Sequence, residues 1–190
     1  MHMAKPIHFI GISGSLRKGS FNTMLLRSVA ELLPEGVTFE ILSIANIPLY
    51  NADLDLPTAT ERPAPVARLR EAIAAADGLV IASPEYNYSI PGGLKNTIDW
   101  LSRGKDSPLA KKPVALMGGS PGLWGTVRMQ LAFLPVFLTL GMKVAEKPEI
   151  LVSQIDKKMD ENGRLTDETT RELVRKKIQA LADLATAQTR

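Results

Sequence analysis

Apolar runs alternate with longer amphipathic stretches along this chain. The runs are rich in Ile, Val and Leu and predict strands at residues 7–13, 37–44, 78–83, 113–118 and, less regularly, 143–152. Between the runs, apolar residues recur at helical spacing. This recurrence predicts helices at residues 22–33, 64–76, 93–103, 126–140 and 167–187.

Strands that are apolar throughout and alternate with helices are typical of a parallel sheet covered on both faces. We therefore predict an α/β fold with a doubly wound, five-stranded parallel sheet in the order 2-1-3-4-5. A chain of 190 residues is long enough for one such domain and short for two, so residues 1–190 are predicted to form a single domain.

A polar segment, GISGSLRKGSFN at residues 11–22, joins the first predicted strand to the first predicted helix. Its glycines let backbone N–H groups converge, its serines add hydroxyls, and Arg17 adds a fork of charged donors. Asn22 is predicted to cap the helix, whose N-terminus adds partial positive charge. The segment is consistent with a cradle for a single terminal phosphate, although an ordinary polar turn remains the alternative.

Two commoner nucleotide-binding loops do not fit the segment. A P-loop needs Lys followed by Ser or Thr after its last glycine, and Ser20-Phe21 stands there instead. A dinucleotide-binding loop needs G-x-G-x-x-G, which Gly11, Gly14 and Gly19 do not form. The sequence therefore disfavours phosphoryl transfer and a dinucleotide fingerprint at this position.

Two further loops follow the third and fourth predicted strands. SPEYNYSIPGG at residues 83–93 is stiffened by a proline near each end and offers aromatic rings, an amide and backbone N–H groups, which suits a heteroaromatic ligand. GGSPG at residues 118–122 can bring backbone N–H groups close to ring carbonyls. Because parallel strands end at the same edge of a sheet, the three loops are predicted to form one site.

Together, GSLRKGSFN, SPEYNYSIPGGLKNTIDWLSR and GGSPGLWGTVRMQ resemble the NADPH-dependent FMN reductase family, especially its bacterial quinone and chromate reductase branch. The resemblance runs from about residue 7 to 151. It implies a flavodoxin-like fold that binds FMN and takes electrons from NADPH or NADH. The acceptors it implies are quinones, with chromate, azo compounds or free flavin as further candidates, and it also implies a homodimer or homotetramer.

The resemblance also assigns residues to the cofactor. In the first loop it implies that the FMN phosphate is held by Ser15, Arg17, Ser20 and Asn22, with Phe21 as a further cofactor-binding residue. In the other two loops it implies that the isoalloxazine ring is lined by Pro84, Glu85, Tyr86 and Asn87 and closed on its pyrimidine side by Gly119 and Ser120.

Composition and charge narrow the remaining choices. The chain has no cysteine, a net charge of +3 and basic residues scattered among acidic ones, so we expect no disulfide, no metal site and no nucleic-acid partner. No signal pattern or apolar stretch long enough for a bilayer is found, and we expect a cytoplasmic location. Both histidines precede the loops, so no catalytic acid or base is expected, because a flavin carries the hydride chemistry itself.

Other features leave alternatives open. A flavodoxin-type electron carrier would share the fold, but such carriers usually have an acidic surface and this chain is basic. Trp124 and Arg103 are candidates for contact with substrate.

Residues 129–140 are apolar nearly all round, which predicts a homo-oligomer built partly on this helix.

Overall fold

The apolar runs form a parallel sheet at the centre of the computed structural model, which describes residues 6–188. The strands are β1 (Ile7–Ser13), β2 (Val37–Leu42), β3 (Gly78–Ala82), β4 (Pro113–Ser120), β5 (Lys143–Val144) and β6 (Ile150–Ser153). Their order is β2-β1-β3-β4-β5, each pairing is parallel, and β6 also pairs with β4. The predicted order is confirmed, and every residue of β3 is buried, as expected for a central strand.

The fifth predicted strand is interrupted. The sequence pattern predicts one strand region at residues 143–152, whereas β5 and β6 each pair with a different part of β4 and are separated by residues 145–149. Pro148 lies in this interval and has no N–H to donate to a sheet ladder. Within residues 6–188 the sheet therefore has six strands, two of which share the fifth place.

Helices cover both faces of the sheet. They are α1 (Phe21–Ser28, continued by a 3₁₀ turn at Val29–Glu31), α2 (Ala64–Ala75), α3 (Gly92–Ser102), α4 (Val127–Thr139) and α5 (Glu168–Gln188). α1 and α5 pack on one face, where Leu26 and Ile178 are fully buried, and α2, α3 and α4 pack on the other, where Ile73 and Phe133 are fully buried. The doubly wound fold is thus confirmed. None of the helices within residues 6–188 combines the length and apolarity that a bilayer crossing requires.

The long connection between β2 and α2 is held against α3 and the segment that follows it. The Trp100 indole N–H donates to the Pro48 carbonyl at 2.8 Å, and Trp100 is itself buried. Arg62 joins Asp55 (Nε to Oδ1, 2.5 Å) to Asp106 (Nη1 to Oδ2, 2.8 Å). Trp100 therefore anchors this connection as part of the core.

Candidate functional site: a three-loop cavity

Three loops meet at the carboxyl ends of β1, β3 and β4 and enclose a cavity of about 210 Å³. We call it the three-loop cavity. It is lined by Ser15, Arg17, Ser20, Phe21, Asn22, Pro84, Glu85, Tyr86, Gly119, Ser120 and Pro121. The structure thus brings together every predicted site residue except Asn87, which lies exposed in the second loop, and it adds Pro121.

The loops approach one another closely because glycines flank Ser83, a fully buried residue that follows β3. A Cβ on Gly14 would stand 2.3 Å from the Ser83 hydroxyl oxygen, and one on Gly118 would stand 2.4 Å from the Ser83 carbonyl oxygen. Cβ atoms essentially never come this close to another atom, so a side chain at either position would force its neighbours to shift. The first and third loops therefore close around the start of the second.

The first loop presents hydrogen-bond donors and a positive charge. Ser20 precedes α1 and caps it, its hydroxyl oxygen accepting from the Thr23 N–H at 3.3 Å. The first N–H groups of a helix have no partner within the helix and favour an anion nearby. The Arg17 guanidinium is exposed, 5.8 Å from the Phe21 ring, and no carboxylate among residues 6–188 forms an ion pair with it. This end of the cavity suits a phosphate.

The side chain of Asn22 joins two of the three loops. The prediction that it caps the helix is wrong, because α1 begins one residue earlier and Ser20 is the cap. The Asn22 side chain instead bonds the backbone of Gly119 at both ends, donating to its carbonyl and accepting from its N–H, each at 2.9 Å. Asn22 therefore fastens the first loop to the third, and its own backbone N–H lies in the first turn of α1.

The second loop contains a tight turn at Asn87-Tyr88. Both residues have a positive φ, 48° and 66°, which residues other than glycine rarely adopt. Tyr86 and Ser89 flank the turn and exchange both backbone hydrogen bonds, at 3.0 and 3.1 Å. This is the pattern of a two-residue hairpin, whose favoured turn needs positive φ at both central positions. Tyr86, which precedes the turn, lines the cavity, whereas Asn87 at its first central position does not.

Glu85 links the cavity wall to α4. One of its carboxylate oxygens accepts from the backbone N–H groups of Arg128 and Met129, at 2.9 and 3.2 Å, and the other accepts from the Arg128 guanidinium at 3.2 Å. A carboxylate at a helix N-terminus is stabilised by the free N–H groups and by the helix dipole. Sequence reasoning missed Arg128, because no local spacing relates it to a residue 43 positions earlier.

Known proteins match the part of the chain that contains the three loops. Residues 7–157 match the NADPH-dependent FMN reductase family. The chain is 44% identical over 182 residues to an NAD(P)H-dependent FMN reductase of Pseudomonas aeruginosa, covering 94% of this chain and 95% of that protein. It is 44% identical over 170 residues to a quinone reductase of Escherichia coli, covering 88% and 89%.

A solved structure has the same fold as this chain. The flavoenzyme NAD(P)H:(acceptor) oxidoreductase FerB from Paracoccus denitrificans superposes with a TM-score of 0.84 at 31% identity. The superposition covers 95% of this chain and 98% of that chain.

Proposed function

The chain belongs to the NADPH-dependent FMN reductase family, and on that premise we propose that the three-loop cavity is where it binds FMN. It is an NAD(P)H-dependent FMN oxidoreductase that reduces quinones. The observation that carries the proposed site is the distribution of donors around the cavity. Hydroxyls, a helix N-terminus and the Arg17 guanidinium lie at the α1 end, and the remaining lining includes Pro84 to Tyr86, Gly119 and Ser120.

The residues present fit FMN. The Arg17 charge, the Ser15 and Ser20 hydroxyls and the first N–H groups of α1 would hold the phosphate. Pro84, Glu85, Tyr86 and the backbone of Gly119 and Ser120 would line the ring, as Asn22 keeps Gly119 in place. When bound, FMN supplies the two-electron redox chemistry. The chain's own task is to bind and orient the cofactor and its substrates.

Several finer features belong to the same proposal. We propose ping-pong kinetics, because NAD(P)H and the acceptor would use one open side of the cavity in turn. Chromate, azo compounds and free flavin are proposed as further acceptors. A reaction that consumes NAD(P)H takes place where this cosubstrate is maintained, so we propose the cytoplasm as its location.

We also propose that the protein works as a homo-oligomer. Leu131, Leu134 and Leu138 lie at helical spacing on α4 and are 58%, 54% and 82% exposed. We call this row the α4 leucine stripe. Neither the connection between β2 and α2 nor α5 covers it within the subunit, and contiguous exposed apolar surface usually marks a contact.

The purified protein tests the proposed function directly. We expect it to carry non-covalent FMN, identified by the visible spectrum and by mass spectrometry of the released cofactor. We expect NAD(P)H oxidation that depends on an added quinone, with parallel double-reciprocal lines. FAD in place of FMN, or no flavin binding after FMN is added, would refute the site. Intersecting lines would refute the ping-pong order alone.

A further inference from the structure

The guanidinium of Arg128 lies between two exposed aromatic rings beside the three-loop cavity. Its Cζ is 4.0 Å from the centroid of the Tyr88 ring and 5.6 Å from that of Trp124. Both distances are within the range of cation–π attraction. Tyr88 is 70% exposed and Trp124 is 69% exposed, so neither ring is fixed by burial, and both contact the Arg128 guanidinium.

The backbone at Tyr88 supports a role for its side chain. A bulky residue in the left-handed region costs free energy, and glycine or asparagine would form the same hairpin turn more readily. Tyrosine at this position gains a contact that neither of those residues could make, because its ring stacks on Arg128. Backbone strain of this kind often accompanies a functional position.

Arg128 is itself anchored to the cavity wall. Its guanidinium pairs with Glu85 at 3.2 Å, and its backbone N–H donates to the same carboxylate at 2.9 Å. Glu85 lines the cavity. Arg128 therefore fixes the position of a ring from the second loop and a ring from the third loop relative to that wall.

We infer that Arg128 is a positioning residue that holds Tyr88 and Trp124 as an aromatic surface at the entrance of the cavity, on which the flat ring of the nicotinamide cosubstrate or the quinone stacks. This inference rests on the proposed function. Aromatic rings attract flat, electron-poor rings through offset stacking and favour no single ligand of that shape. Both substrates of a ping-pong enzyme could use such a surface in turn.

The test compares Arg128→Met, Arg128→Lys and Tyr88→Leu in the FMN-loaded protein, with Arg175→Met as the control. Arg175 is a partly exposed arginine of similar accessibility that pairs with Glu168 and Glu172 on α5. Steady-state rates are measured with NAD(P)H and a benzoquinone, each varied in turn. FMN affinity is measured separately by titration of the apoprotein.

For Arg128→Met we expect the KM for both substrates to rise roughly tenfold, while kcat and the FMN dissociation constant change by less than about threefold. Arg128→Lys keeps a cation over Tyr88 and should recover most of the loss. Tyr88→Leu should raise KM by itself and add little when combined with Arg128→Met, because both changes remove the same contact. Arg175→Met should leave every constant unchanged.

Unchanged KM values in Arg128→Met, or full additivity with Tyr88→Leu, would overturn the inference. A loss of FMN affinity as large as the rise in KM would also overturn it, because Arg128 would then stabilise the cofactor site rather than position the substrate. If Arg128→Met does not fold, Tyr88→Leu and Trp124→Leu decide the matter, and either one with a wild-type KM would refute the aromatic surface. Failure of the proposed function is distinct, because the wild-type protein itself would then lack FMN or quinone-dependent activity.

Discussion

Asn22 and Gly119 are 97 residues apart in sequence and share two hydrogen bonds, both 2.9 Å long and both buried. The side-chain amide of Asn22 satisfies the N–H and the carbonyl of Gly119 at once. A buried backbone group without a partner is costly, so this pairing keeps the third loop from opening. The first and third loops are thus positioned as one unit on either side of the cavity.

Replacing Asn22 with Ala should destabilise the fold by about 2–4 kcal/mol, because two buried backbone groups lose their partners. The measurement is the free energy of unfolding from urea titration, together with FMN affinity, which should fall as well. Asn162→Ala, at an exposed asparagine in the loop before α5, is the control and should change neither value. Wild-type stability in Asn22→Ala would show that the third loop is held by other contacts.

Replacing Arg17 with Ala should weaken FMN binding ten- to a hundredfold, since a charge-assisted contact to phosphate is worth about 1.5–3 kcal/mol. Turnover at saturating FMN should change little, because the side chain is assigned to the phosphate. Titration of apoprotein with FMN measures the effect. Arg27→Ala provides the comparison, since Arg27 is an exposed arginine in the last turn of the same helix. An unchanged dissociation constant in Arg17→Ala would remove Arg17 from the site.

Replacing glycine with alanine should lower the free energy of unfolding at Gly14 but not at Gly93. In Gly14→Ala the new methyl would stand 2.3 Å from the Ser83 hydroxyl oxygen and 2.9 Å from Leu94, and we expect a loss of about 1–3 kcal/mol together with weaker FMN binding. A methyl on Gly93, in the first turn of α3, would meet open space within 4 Å, so Gly93→Ala should be neutral or stabilising by up to about 1 kcal/mol. Urea unfolding of both variants checks the contrast, and equal effects would contradict it.

The sequence predicts the framework of the site better than its contacts. β1 has its predicted limits, and the starts of α2, α3 and α4 lie within one residue of prediction, because the apolar periodicity that marks these elements is a local property of the sequence. The predicted cap of α1 is two residues from the observed one because both Ser20 and Asn22 are good caps, and pattern alone does not choose between them. The pairing of Asn22 with Gly119 depends on how distant segments meet, which no local pattern encodes.

Burial lowers the pKa of Lys177 to about 8, and this predicts a pH dependence of stability. Its ammonium donates to the carbonyls of Ala145 and Glu146, at 2.5 and 3.3 Å, where water is largely excluded. The unfolded chain holds this proton up to a pKa near 10.5, so between these two values the unfolded state binds more protons and stability rises with pH.

Lys177→Met removes this titration. From pH 7 to about pH 9.5 the wild type should gain up to about 2 kcal/mol relative to the variant. Urea unfolding at both pH values measures the gain. Lys176→Met, at an exposed neighbour, should follow the wild type. A difference between the wild type and Lys177→Met that does not vary with pH would show that the Lys177 pKa is close to its ordinary value.

The α4 leucine stripe should be the contact of a homo-oligomer. We expect light scattering of the FMN-loaded protein to give a mass of at least twice 20.7 kDa. Leu134→Glu places a charge in the middle of the stripe, where Leu131 and Leu138 flank it, and should shift the mass towards a single subunit, because a buried unpaired carboxylate opposes association.

Ile41→Glu is the matched control for this change. Ile41 is 37% exposed on β2, at the opposite edge of the sheet from α4, and its replacement should leave the assembly intact. A wild-type particle of 20.7 kDa with full FMN occupancy and activity would contradict the proposal. Dissociation by Ile41→Glu but not by Leu134→Glu would place the contact on the β2 edge instead, because each charge disrupts only the surface in which it lies.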